Sequence, residues 1–176
     1  MQIQCNRRKI RNRRLVLAAV MTALSVVGRL IPLVKPVTAF TTLAGMYLGW
    51  KAGFLTGALA ALLSNMYFGQ GPWTPFQMIT WGIIGLFAGL LAAALKKSRL
   101  LLLCYGAVSG VLFSVLMDVW TVLWMNHEFS LGAYGAAIVS ALPFTILYMV
   151  SNVAFLWLFA KPFGEKMERM HYRYGI

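Results

Sequence analysis

Residues 68–82, FGQGPWTPFQMITWG, interrupt a long apolar run without a single charge and with several aromatic side chains. Thr74 stands where a helix N-cap belongs, and Pro75 takes the first helical position, where its missing N–H costs nothing. Gln77 completes Thr-x-x-Gln, the spacing at which two side chains satisfy each other's backbone donors in a capping box. A helix is therefore expected to begin here. Gly69, Gly71 and Pro72 supply the preceding turn, and Trp73 and Met78 fall at the two positions of a hydrophobic staple. The stretch reads as an ordered, uncharged mouth over a membrane bundle.

Outward from that mouth the composition leaves one class. With 60% hydrophobic and 11% charged residues and a mean hydropathy of +0.74, the 176 residues cannot form a soluble domain. Apolar runs of about 20 residues match the hydrocarbon thickness of a bilayer, whereas a β-barrel would show short alternating segments. The fold class is all-α, an integral membrane bundle of about six transmembrane helices. The segments lie near 15–31, 37–50, 52–68, 75–95, 100–124 and 133–160, the second being short. Leu15 to Ile31 follows a basic arm as a signal peptide would, but it lacks a cleavage site and many spans follow, so it is read as retained. Residues 1–14 form a basic arm, 15–160 the transmembrane domain and 161–176 a basic tail.

Charge sets the orientation. The chain has 16 Lys and Arg against 4 Asp and Glu, a net charge of +12. All but Arg29 and Lys35 fall in the N-terminal arm, in the connections holding Lys51, Lys96, Lys97 and Arg99, or from Lys161 onward. With six spans these positions share one side, so both termini are expected in the cytoplasm. The net charge then reflects topology and contact with the lipid bilayer, and nucleic acid is not an expected partner. Cys5 and Cys104 lie toward the reducing side without metal spacing, so neither a disulfide nor a metal site is expected. No phosphate-binding Gly-Lys-Ser/Thr loop, Gly-x-Ser-x-Gly elbow or His-Glu-x-x-His is present, and His127 and Glu128 are adjacent in a loop. No cofactor and no enzymatic activity are expected, and any pumping must draw its energy from elsewhere.

Polar and aromatic side chains converge in the outward half. Gly53, Gly57 and Ala61 form a small-residue face on the third segment that permits close helix approach and ends at Asn65. Gln77, Trp81 and Gly85 share a stripe on the fourth; Ser114, Asp118 and Thr121 share one on the fifth, with Trp120 and Trp124 farther out. The sixth adds Thr145, Tyr148 and Asn152 below Pro143, which bends that helix or marks its start. Together these stripes are expected to line one cavity. The candidate substrate-binding residues are Asn65, Tyr67, Gln70, Trp73, Gln77, Trp81, Asp118, Trp120, Asn126 and Tyr148. Several have a second reading. Gln77 can serve the capping box, Trp120 and Trp124 an interfacial belt, and Tyr148 and Asn152 interhelical hydrogen bonds. Asp118 either meets the ligand or pairs with Arg29, which lies at a comparable depth.

A small basic-tailed protein of this kind, with Ala19-Val20-Met21-Thr22-Ala23 on its first helix and Gly-Pro-Trp-Thr-Pro-Phe-Gln-Met opening the fourth, resembles the substrate-binding S component of energy-coupling factor (ECF) vitamin transporters. The resemblance covers nearly the whole chain. It implies that Ala19 and Ala23 dock on a coupling transmembrane subunit, which works with two cytoplasmic ATPase subunits in a prokaryotic plasma membrane. It also implies that the S component topples in the bilayer to deliver its vitamin inward. The Gly71 to Met78 segment is similar to members associated with cobalamin and related corrinoids. An aromatic, amide-lined pocket poor in cations suits a large, neutral or partly cationic ligand, and riboflavin or a benzimidazole ribonucleoside satisfies it as cobalamin does. A self-sufficient secondary transporter is the other class. It calls for coupling-ion residues at mid-depth, for which Asp118 is the one titratable candidate.

Overall fold

The computed structural model describes residues 2–30 and 36–174; Lys35 lies outside the described residues, as do the side chains of Cys5, Arg7, Arg8, Lys9, Arg11 and Arg173. Seven helices are described: α1 (Gln2–Arg29), α2 (Val37–Leu48), α3 (Trp50–Phe68), α4 (Thr74–Leu90), α5 (Ala92–Lys97), α6 (Arg99–Asn126) and α7 (Leu131–Tyr174). They form an all-α integral membrane bundle. α6 and α7 are each long and apolar enough to cross a bilayer, and they hold Leu100, Val108, Val139 and Val150 exposed, as lipid-facing side chains are.

The short second segment is the centre of the bundle. At 12 residues α2 is about 18 Å long, less than the hydrocarbon thickness, yet ten of its residues from Val37 to Leu48 are buried. It touches α1, α3, α4 and α7, so its apolar and Thr side chains have neighbours on every side and no amphipathic pattern is needed. A single residue, Gly49, turns α2 into α3 at φ 97°, a backbone conformation that side chains rarely adopt.

α2, α3 and α4 approach to backbone contact through glycines. A Cβ built on Gly53 would collide with the Gly85 carbonyl oxygen and stand 2.7 Å from the Gly45 Cα; one on Gly57 would strike the Trp81 carbonyl. The small-residue face read from Gly53, Gly57 and Ala61 is thus the α3–α4 seam, and Ala61 is fully buried. α6 and α7 pair in the same way. Gly110 abuts the Met149 backbone, where a Cβ would be 2.8 Å from its nitrogen, and Asn152 Nδ2 donates to the Gly106 carbonyl at 3.2 Å.

Three boundaries differ from the sequence reading. The fourth segment breaks at Leu91, because α5 swings Leu95 into the core against α2 and leaves Lys96 and Lys97 exposed. Pro143 neither starts nor interrupts α7, which is helical from Leu131 and contains Pro143 and Pro162. Neither basic end is a separate element. The backbone of residues 2–14 continues α1, and α7 runs on to Tyr174, with Phe163 and Met167 packed against the same core as Leu43 and Leu95.

Candidate functional site

Close packing of α3 on α4 decides which short polar side chains can meet. Because the glycine seam brings the two backbones together, Asn65 at the C-terminal end of α3 reaches the start of α4. Asn65 is 1% exposed, and its Nδ2 donates to Thr74 Oγ1 and to Gln77 Oε1, each at 2.9 Å. A buried amide left unpaired costs about 1–3 kcal/mol, so both acceptors turn inward to it. This corrects the capping box. α4 begins at Thr74 with Pro75 in its first turn, but no side chain caps it. Thr74 Oγ1 instead accepts from Asn65 and, at 3.4 Å, from the Gly71 N–H.

Arg29, at the end of α1, closes the network from the other side. Its Nη1 donates to Ser64 Oγ at 2.5 Å and to Asn65 Oδ1 at 2.7 Å, and the guanidinium lies over the Phe68 and Trp81 rings at 5.1 and 5.2 Å. The expected alternative of an Arg29–Asp118 pair is therefore not formed. Geometry explains it: Ser64 and Asn65 face α1 directly, whereas Asp118 projects from α6 into a cleft against α7.

Beneath this network runs a row of aromatic rings. Trp81 stacks on Phe113 with centroids 4.8 Å apart and planes 9° from parallel, and Phe113 meets Tyr148 edge-on at 5.4 Å. The row carries α4 across to α6 and α7, with Val37, Ala60, Ala61 and Ile84 packed around it. Trp81 is 4% exposed, and its indole N–H has no partner among the described residues.

The ten candidate residues do not form one lining. Asn65, Gln77 and Trp81 belong to the network, and Tyr148 joins through Phe113. Trp120 stands between Phe76 at 5.0 Å and Trp124 at 5.5 Å, so α4 and α6 also touch through aromatics. Asp118 and Asn126 line a separate cleft of about 470 Å³ between α6 and α7, together with Thr121, Ser140 and Phe144. Trp73 is partly exposed and closes over Gly71, whose Cβ it would block. Tyr67 and Gln70 face outward. Tyr67 is 76% exposed against Phe68, and Gln70 Nε2 donates to the Leu62 carbonyl at 3.1 Å. Of the sixth-segment stripe, Thr145 pairs with Ser114 at 2.6 Å and Asn152 with Gly106, so both join α6 to α7.

Five participants, Arg29, Ser64, Phe68, Thr74 and Phe113, were not among the ten candidates. Ser64 was missed because a helical Ser beside Asn carries no distinctive signal, and Phe113 because an aromatic in an apolar run reads as core. Arg29 was legible as an oddity, a cation at the wrong end for topology.

The relay makes a measurable claim about Thr74. Thr74→Val should cost about 1 kcal/mol in thermal unfolding in detergent, and Asn65→Leu about 2–3 kcal/mol, because the latter leaves Arg29, Thr74 and Gln77 without their shared partner. In a double-mutant cycle the two losses should not add. Additive losses would mean that Thr74 acts as a helix cap after all.

A family model described as ECF-type riboflavin transporter, S component, matches residues 9–165. No curated protein and no solved structure matches the chain significantly. The description names riboflavin, so the ECF expectation is met at the level of the S component, and a corrinoid preference gains no support from it.

Proposed function

The chain belongs to the family of S components of ECF-type riboflavin transporters, and on that premise we propose that it captures riboflavin, or a closely related flavin, from the outer side of a prokaryotic plasma membrane. The family match favours a flavin over the corrinoid, and the geometry that best supports the same choice is the aromatic row under directed amides. Near-parallel rings of Trp81 and Phe113 beside Asn65 and Gln77 suit a planar, uncharged heterocycle with several hydrogen-bonding atoms. Trp73, Trp120 and Asn126 would serve at the mouth, and Asp118 would accept from ligand hydroxyl groups in the α6–α7 cleft.

Delivery would depend on partners. We assign Ala19 and Ala23 as the strip that docks on a coupling transmembrane subunit, which two cytoplasmic ATPases drive. Both alanines are exposed on α1, while Ala18, Met21, Thr22 and Ser25 face the bundle. The strip is therefore available to an outside helix.

Titration of the purified protein with riboflavin in mild detergent, followed by flavin fluorescence, tests the ligand. Stacking on tryptophan should quench the signal to a one-to-one end point without ATP, and cobalamin, thiamine or folate at equal concentration should not reverse it. A protein that leaves flavin fluorescence unchanged and binds cobalamin in calorimetry would overturn the flavin reading.

A further inference from the structure

The chain's 4 acidic residues are Asp118, Glu128, Glu165 and Glu168, and none of them contacts Arg29. Among the described residues, a half-buried guanidinium in the outer part of a membrane bundle is thus met by one hydroxyl, one amide oxygen and two ring faces, with no carboxylate. An uncompensated charge in such a setting is costly and marks a functional position by default.

Arg29 also fixes the polarity of everything beyond it. A guanidinium only donates, so the Asn65 oxygen must face it and the Asn65 NH₂ must face Thr74 and Gln77. That NH₂ in turn draws the Gln77 oxygen, which leaves the Gln77 NH₂ as the free end of the chain. One turn along α4, the buried Trp81 indole N–H has no partner among the described residues. Among the described residues, the groups that Arg29, Gln77 and Trp81 leave unspent are therefore donors: the remaining guanidinium N–H groups, Gln77 Nε2 and Trp81 Nε1.

We propose that Arg29, Gln77 and Trp81 form a donor-only specificity element that reads the acceptor edge of the ligand's heterocycle. The inference rests on the flavin reading, in which that edge is the pyrimidine-dione with its neighbouring ring nitrogens. Such an edge offers carbonyl oxygens and nitrogen lone pairs, which match the donors in kind. A cation beside it has a second effect. Two-electron reduction gives a flavin that readily carries negative charge on this ring, so the site binds reduced flavin more tightly than oxidised.

Anaerobic binding of oxidised and chemically reduced riboflavin to wild type, Arg29→Met, Gln77→Glu and Gln77→Met tests this. The wild type should prefer the reduced form about tenfold, the scale of one charge-assisted hydrogen bond, and Arg29→Met should bring the ratio near one. Gln77→Glu keeps the acceptor that Asn65 needs but turns the free end from donor to acceptor. It should weaken oxidised riboflavin at least about tenfold, and more than Gln77→Met does. A purely structural role for Arg29 would weaken both redox forms alike. An unchanged ratio in folded Arg29→Met, or a Gln77→Glu affinity within twofold of wild type, overturns the inference and leaves riboflavin binding standing. A wild type that binds no flavin removes the flavin reading and this inference together.

Discussion

Gly53→Leu is expected to abolish the folded bundle. The Gly53 Cα faces the Gly85 carbonyl and the Gly45 backbone with no room for a methyl group, and the obstacles are backbone atoms rather than flexible side-chain ends. Overpacking a core costs about 1–3 kcal/mol when side chains can shift. Here α3 and α4 must separate along their whole seam, which also withdraws Asn65 from Thr74 and Gln77, so a loss above about 3 kcal/mol is expected. Gly135→Ala is the control. Its Cβ meets nothing within 4 Å on α7, and the exchange should be neutral or gain up to about 1 kcal/mol from helix propensity. Thermal unfolding in detergent, read by monodispersity after heating, checks both; a Gly53→Leu protein as stable as Gly135→Ala would remove the glycine seam as the organising contact.

Ala19→Trp with Ala23→Trp should separate capture from delivery. Both residues point away from the core of α1, so two indoles there have space in the isolated protein and should leave riboflavin affinity within about twofold. A partner helix that approaches a small-residue strip closely would be held off by them and would forfeit its packing. Co-purification with the coupling subunit and ATP-dependent uptake should therefore fall at least tenfold, by the same scale of about 1.4 kcal/mol or more. Uptake at the normal rate by the folded double mutant would rule out this docking strip. Loss of flavin binding in the same protein would instead place the alanines inside the bundle's own packing.

The charge asymmetry around Arg29 changes how the pocket is understood. With Arg29 and Lys35 taken as isolated outer cations, the sequence pointed to a site poor in positive charge. The structure engages Arg29 in the candidate site through Asn65, and no carboxylate among the described residues neutralises it. An electron-rich ligand edge is then favoured, while Asp118 stands apart in the α6–α7 cleft with neither an ion-pair nor a hydrogen-bond partner among the described residues.

The apolar solvent, the helical class and the α3–α4 seam are legible in the amino-acid sequence. Apolar runs, the near-absence of acidic residues and the placement of basic ones follow from composition, and a Gly53-Gly57-Ala61 face has one geometric use on a helix. The start of α4 at Thr74 was equally local, since Pro75 restricts where a helix can begin. Tertiary structure decided what periodicity leaves open. The second segment, read at 37–50, was short against a bilayer, yet a helix enclosed by its neighbours needs neither the length nor the amphipathic face of a spanning one. Thr74 and Gln77 matched a capping box as well as any pair could, and Asn65 took both, because satisfying a buried amide outweighs capping a helix end near the surface. The partner of Arg29 was undecidable for the same reason: equal depth along two helices says nothing of their rotation, and rotation turned Ser64 and Asn65 toward Arg29 and Asp118 toward α7.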